Sequence, residues 1–378
     1  MRLEDIRMNA VVAFPAQAGI DSREWSATRL ARMKRGFATR RLALDAVGCV
    51  DHSPCTPRAG DVIVARVTRI GQHPGLQQPD GRRATLFVGD EIIVAYGNRY
   101  APDQFEALVP RDFGACALAA GGGIASRVVS THGRMRAPTQ LLPLGRLCDE
   151  DGQPLNLADF ALPRISLPAR LPPVFVVAGT SMNAGKTTAA SHLVHGLAKA
   201  GLRVGAAKLT GTGASGDTML MRDAGAEAVL DFTDAGLATT YLSPLESLEN
   251  SSEQLLAHLA AKRVDVIVVE IADGLYQAET AALLRSTRFR RCLSGVLFAS
   301  PDAMGAFAGI EWLKQHGLPV VGLAGAMTAS PLAVREASAA TGLPVLTSAL
   351  LGDPATAQSL FDSVRLLPVS RASVVPQR

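Results

Sequence analysis

The chain lacks any run long and apolar enough to span a bilayer. Its first residues, Met-Arg-Leu-Glu-Asp, lack the apolar core of a signal peptide. Cysteine is scarce and unpatterned: Cys49, Cys55, Cys116, Cys148 and Cys292 form an odd, scattered set, which fits a reducing compartment. These absences together lead to the expectation of a cytoplasmic protein. Cys49 and Cys55 with His52 do not match a zinc spacing. His192 and His195 are three residues apart, but no further ligand accompanies them, so they read as helix-surface residues. A large excess of one charge is also missing. The net charge is +4, from 38 basic and 34 acidic residues, too small to imply nucleic acid by itself. No internal repeat is present, so the chain is not an array of like units.

What is present is a chain of 378 residues, 48% hydrophobic and 19% charged, long enough for two domains that each bury a core. Ala10 to Phe14 reads as a short strand. Residues 22–47 read as helical: Ser22 can cap the start, and Trp25, Leu30, Met33, Phe37, Leu42 and Leu44 recur at roughly helical intervals, with Gly36 as a break. This segment is basic (Arg23, Arg29, Arg32, Lys34, Arg35, Arg40, Arg41), which fits either a solvated face or an anion or nucleic-acid contact. Residues 61–70, 83–87 and 90–95 are β-rich runs separated by Gly and Pro turns, the pattern of a small barrel or sandwich. Two loops follow: one around Asn98 and Arg99, the other Gly121-Gly122-Gly123 with Ser126 and Arg127. The triple glycine permits close backbone approach, to a ligand or within a tight turn. A Pro- and Leu-rich stretch over 137–172 reads as a connection, giving an N-terminal β-rich α+β domain over 1–136. Over 173–365 apolar strands alternate with amphipathic helices, the pattern of a doubly wound, mostly parallel sheet. Residues 366–378 read as a tail.

The second domain opens on Val174 to Gly179, an apolar strand, followed by Thr180, Ser181, Met182, Asn183, Ala184, Gly185, Lys186, Thr187 and Thr188. A strand, a loop of small residues and Gly-Lys-Thr opening a helix form a phosphate-binding loop, in which backbone N–H groups face phosphate oxygens. Lys186 can bridge terminal phosphates and the Thr187 hydroxyl can ligate Mg2+. The common motif has a glycine where this chain has Thr180; here Gly179 lies one residue earlier. A second strand ends in Lys208, then a loop with Thr210 leads to Asp217 at a helix start, either a helix cap or a metal ligand. A third apolar strand ends in Glu270, where a carboxylate can hold Mg2+ directly or through water, and Asp273-Gly274 follow.

Gly179-Thr180 through Gly185-Lys186-Thr187, with Lys208, Asp217 and Glu270 in order behind it, resembles the dethiobiotin synthetase-like branch of P-loop proteins. The resemblance covers roughly residues 172–300. It implies that Thr187, Asp217 and Glu270 hold Mg2+ and that Lys186 and Lys208 face phosphate and the transferred group. Ile271-Ala272-Asp273-Gly274 departs from the Gly-Ala-Gly-Gly usual there, no familiar base-recognition residues stand in 321–330, and the N-terminal half has no counterpart in that branch. The expectation is an enzyme dependent on Mg2+ and ATP, of ligase or kinase type, that activates a small carboxylate, carbamate or amino-acid-like substrate, as a homo-oligomer. Its catalytic residues are Lys186, Lys208 and Glu270. Candidate substrate contacts are Thr210 and Asp273, with Asn98, Arg99, Gly122, Gly123 and Arg127 from the N-terminal half. Two other readings stand beside it. One is a nucleotide-dependent switch or chaperone whose barrel binds a protein or RNA partner. The other is an amino-acid isomerase or epimerase with an accessory P-loop domain.

Overall fold

In the computed structural model, Trp25 and residues 27–365 are described. The strand expected over 10–14, the cap Ser22, Arg23 and the tail 366–378 lie outside them. Ten strands build the first half: β1 (Lys34–Arg35), β2 (Cys49–Asp51), β3 (Val62–Arg69), β4 (Gly75–Gln77), β5 (Arg83–Thr85), β6 (Glu91–Tyr96), β7 (Phe105–Leu108), β8 (Cys116–Ala120), β9 (Ile124–Thr131) and β10 (Thr139–Cys148). β3 pairs with β6 and β10, β10 with β8, β8 with β9, and β9 returns to β6. These five strands close a circuit, so the expected small barrel is present. Val62, Val64, Ile93, Ala95, Ile124 and Leu144 pack on one side of its wall, and Ile63, Ile92, Val94 and Leu118 on the other. β4 and β5 form a separate hairpin.

Two expectations for this half are corrected. Residues 22–47 are expected to be helical with a break at Gly36; among the described residues the only α-helix there is the short α1 (Ala27–Arg32), followed by β1 and two short 3-10 turns over 37–39 and 44–46. Gly36 is extended, and a Cβ there would lie 2.7 Å from Gly123 Cα, so the chain presses backbone against backbone where a helix would not fit. Several of the basic side chains form ion pairs within the molecule. Arg29 pairs with Glu91, Lys34 with Asp90, and Arg40 with Asp231 and Asp234. The stretch 137–172, expected as a connection, contains β10, a strand paired on both edges. The segment that passes between the two sheets is therefore 149–173.

In the second half, β11 (Val174–Gly179), β12 (Val204–Lys208), β13 (Ala228–Asp231), β14 (Val266–Glu270), β15 (Gly295–Ala299) and β16 (Val320–Ala324) form a six-stranded sheet in the order β13-β12-β14-β11-β15-β16. Every pairing in it is parallel. Helices α2 (Lys186–Lys199), α3 (Ser215–Asp223), α9 (Ser348–Gly352) and α10 (Pro354–Arg365) cover one face, through Leu193, Met221, Leu351 and Phe361. Helices α4 (Leu245–Ala261), α5 (Ala278–Arg285), α6 (Thr287–Arg290), α7 (Ala303–Gln315) and α8 (Pro331–Thr341) cover the other, through Leu255, Leu284, Phe289, Ile310 and Ala337. Strands buried on both faces read as continuous apolar runs, which is why this half follows its sequence pattern closely. The strand expected over 344–347 is a single bridge at Val345.

The halves meet through polar, backbone and apolar contacts, the last including Ala238 in the barrel core and Tyr100 against Tyr241. Arg40 reaches the buried Asp231 and Asp234. Ser215 N–H donates to Gln77 Oε1 at 3.0 Å. A Cβ on Gly122 would lie 1.8 Å from Gly213 O, so Gly122 is where the two backbones touch. Among the described residues no helix is long and apolar enough to cross a membrane.

Candidate functional site

The loop leaving β11 at the centre of the parallel sheet is held by its backbone. Asn183 and Gly185 have positive φ values of 64° and 94°, and no side chain caps the start of α2, which leaves the helix N-terminus without a side-chain acceptor. Gly179 has a steric reason: a Cβ there would meet Ala299 O at 2.7 Å and the Lys186 stem at 3.0 Å. Gly274 has another, since its Cβ would lie 2.0 Å from Thr180 O. Lys186 is 6% exposed, and its Nζ curls back to donate to Ser181 O at 2.7 Å. Burial lowers its pKa. The Asn183 amide donates to Asp103 Oδ2 at 2.9 Å, so the N-terminal half touches the loop directly.

Thr187, Asp217 and Glu270 converge. Thr187 Oγ1 lies 3.0 Å from Glu270 Oε1 and 3.3 Å from Asp217 Oδ1. One hydroxyl proton cannot serve both carboxylates. Glu270 is 2% exposed, and its second oxygen, Oε2, has no hydrogen-bond partner. Burial, then the neighbouring Asp217, raises the Glu270 pKa. Burial alone would raise Asp217 too, but Lys208, in ion-pair contact with it, holds it low. In the same way burial would lower Lys208, and Asp217 and Glu270 hold it high. An orphaned buried carboxylate oxygen beside a hydroxyl and a second carboxylate fits a hard divalent cation such as Mg2+. Among the described residues no group of three His, Cys, Asp or Glu could hold a metal unaided. That fits an ion completed by phosphate oxygens and water.

Cavities flank the loop on two sides. One, of about 410 Å³, lies between the halves, lined by His73, Arg83 and Arg99 from the first and Lys208, Asp217 and Asp273 from the second. Asp273 has a φ of 63°, and burial pushes its carboxyl up to about 6. The other cavity, of about 530 Å³, lies between the loop and residues 324–329 and 346–351. A larger one, of about 1370 Å³, opens at the amino ends of the strands beside Pro173, Ser294 and Pro319. Ligands of open parallel sheets bind at the carboxyl ends, so it is not the candidate site.

Of the residues singled out in sequence, Thr180 to Thr188, Lys208, Asp217, Glu270 and Asp273 lie together at the carboxyl ends of β11, β12 and β14. Arg99 and Gly122 line the cavity across from them. The rest lie elsewhere. Arg127 is exposed on β9, opposite Leu108. Asn98 accepts from Val109 N–H at 2.9 Å and donates to Tyr241 O at 3.4 Å, holding a turn. Gly123 packs on Gly36. Thr210 Oγ1 accepts from Ala272 N–H at 2.8 Å and braces the segment before Asp273. His73, Gln77, Arg83 and Gln104 carried no sequence signal. They arrive from strands and turns of a non-local barrel.

The profile of the family described as "Molybdopterin guanine dinucleotide synthesis protein B" matches residues 174–280. A search of curated proteins found no match. Among solved structures, the signal recognition particle 54 kDa protein of Aeropyrum pernix K1, in complex with GDP, is 19% identical over 52% of this chain and 50% of its own, with a TM-score of 0.35. The chain thus spans half the length of that protein. Chloroplast FtsY from Physcomitrella patens is 20% identical over 55% and 70%, with a TM-score of 0.35. The kinase domain of Escherichia coli tyrosine kinase ETK is 14% identical over 40% and 66%, with a TM-score of 0.32. At these TM-scores the structural likenesses carry no functional argument. The motifs pointed to the dethiobiotin synthetase-like branch, whereas the matched profile is that of another P-loop family. The C-terminal half is therefore a P-loop NTPase domain, similar over residues 174–280 to the molybdopterin guanine dinucleotide synthesis protein B family.

Proposed function

We propose that the protein is an Mg2+- and ATP-dependent enzyme of ligase or kinase type, which phosphorylates a small carboxylate or carbamate held between its two halves. One observation carries this reading: the 410 Å³ cavity joins the Lys208, Asp217 and Asp273 end of the P-loop site to His73, Arg83 and Arg99 of the barrel. An NTPase that needed only hydrolysis would not require a second, cationic wall across from its phosphate site.

In this reading the nucleotide phosphates lie over residues 180–188, and Thr187, Asp217 and Glu270 would hold the cation. When bound, Mg2+ neutralises charge on the terminal phosphates. An acceptor oxygen in the cavity attacks the γ-phosphorus as the bond to the β–γ bridging oxygen breaks, leaving ADP and an acyl phosphate. Lys186 and Lys208 stabilise the charge that develops on the transferred group. In this reading the base lies in the 530 Å³ cavity, lined by Thr328, Thr347 and Ser348 among others. The switch reading with RNA on the basic segment is disfavoured, because Arg29, Lys34 and Arg40 are paired internally. Lys186→Ala is expected to lower ATP-dependent phosphate release by at least about 100-fold, the scale of losing one preorganised charge donor. Full turnover by that variant would overturn the proposal. A thermal-shift comparison of ATP with GTP, each with Mg2+, tests the base.

A further inference from the structure

We propose that Arg99 binds a second carboxylate of the acceptor, remote from the reacting one, so that the substrate is a small dicarboxylate. This rests on the reading of the interdomain cavity as the acceptor site.

Arg99 lines that cavity and is 6% exposed. Its position is fixed by its backbone: Arg99 N–H donates to Ala107 O at 2.7 Å, and Ala107 N–H to Arg99 O at 2.9 Å. Its side chain is under-satisfied. Nη2 donates to Gln104 Oε1 at 2.9 Å, while Nε has no partner. Nη1 lies 3.1 Å from His73 Nε2, but that same nitrogen is 3.0 Å from Ala119 O. If Nε2 carries the proton and donates to the carbonyl, Nη1 also lacks an acceptor. No carboxylate forms an ion pair with Arg99 among the described residues. The acids that act on it from a distance are Asp103, whose Oδ2 accepts from Asn183 while its buried Oδ1 has no partner, and Asp273, which faces Lys186 and Lys208. Burial, with Arg99 beside it, lowers His73 to about 4, so the imidazole is neutral and Arg99 is the buried charge at this end.

The two ends of the cavity differ in this respect. Lys208 is neutralised by Asp217. Arg99 is a buried guanidinium with an unpartnered Nε and no ion pair among the described residues, an arrangement that an anion in direct contact would complete. Its planar fork matches a carboxylate in bidentate geometry. A volume of about 410 Å³ suits a small organic acid with one anionic end at Arg99 and the other at the phosphate site.

The test is calorimetric titration of the full chain, with Mg2+ and a non-hydrolysable ATP analogue, by short dicarboxylates from succinate to adipate and by the monoamide of each. The wild type is expected to prefer one dicarboxylate over its monoamide by about 10- to 100-fold, the scale of charge-assisted hydrogen bonds. Arg99→Gln removes the preference, and Arg99→Lys, which keeps the charge without the fork, retains part of it. Far-UV circular dichroism and melting establish that the variants are folded. Equal affinity for acid and amide, no binding by any member, or an unchanged preference in Arg99→Gln overturns the proposal. So does a variant that loses affinity for the ATP analogue while keeping the preference, because Arg99 then serves the nucleotide. The titration requires no turnover. A preference that depends on Arg99 without acceptor-dependent phosphate release upholds the clamp and defeats only the ligase or kinase reading.

Discussion

At the scale of single residues, Asp273 is the side chain whose environment and role are most at odds. It sits in the left-handed region, is half-buried, and has its carboxyl pushed up to about 6 by desolvation. Asparagine tolerates that backbone conformation and carries no charge to desolvate. Asp273→Asn is therefore expected to stabilise the fold by about 1–3 kcal/mol at pH 8. The sign follows from linkage. A carboxyl whose folded pKa is raised loses stability as pH rises from about 4, its unfolded value, through about 6. The gap between variant and wild type should be absent at pH 4 and full above pH 7, which urea titrations across that range would show. A constant gap would mean that backbone preference, not charge, is responsible. A group kept under such strain beside Lys186 and Lys208 is characteristic of a functional site.

At the scale of elements, the β4–β5 hairpin does something that its length conceals. It reaches out of the barrel to the start of α3, where Gln77 accepts from Ser215 N–H and Gly81 lies against Met219. α3 carries Asp217. The N-terminal half thus contacts the helix whose Asp217 would supply one oxygen of the proposed cation site. Gln77→Ala should destabilise the protein by about 1 kcal/mol, the net worth of one such hydrogen bond. It should also raise the Mg2+ concentration needed for half-maximal nucleotide binding by a few-fold. An unchanged Mg2+ requirement would show that α3 holds its place without the hairpin.

Across the whole molecule, the two halves are bound by charge at Arg40. Its guanidinium bridges Asp231 and Asp234, both almost fully buried, at the end of β13. Removing one partner of a buried pair leaves an uncompensated charge behind. Arg40→Ala should therefore cost about 3–5 kcal/mol. The triple replacement Arg40→Met with Asp231→Asn and Asp234→Asn should recover much of that loss. Two-state urea unfolding measures both, and separate transitions for the halves in the variant would show that Arg40 couples them.

The P-loop domain was legible because its information is local. A fully buried parallel strand is a continuous apolar run, and the residues at its end are those that face the ligand. Val174 to Thr188, Lys208, Asp217 and Glu270 could be placed in one crevice from order alone. The barrel was legible only in outline, since closing β6 on β9 and threading β10 through the centre are pairings between distant segments, and short polar strands carry little period. The basic segment shows the limit: a helical spacing of apolar residues was overridden by the contact of Gly36 with Gly123. Arg99 and Arg127 were equivalent as arginines beside flexible loops. Folding buried one, without an ion pair among the described residues, in a cavity facing the P-loop end of the sheet and left the other exposed on β9. The sequence by itself determined that a nucleotide phosphate site exists, because strand, loop and helix are contiguous. Only the tertiary structure decided what faces that site, because the opposing wall comes from a sheet whose pairing no local pattern specifies.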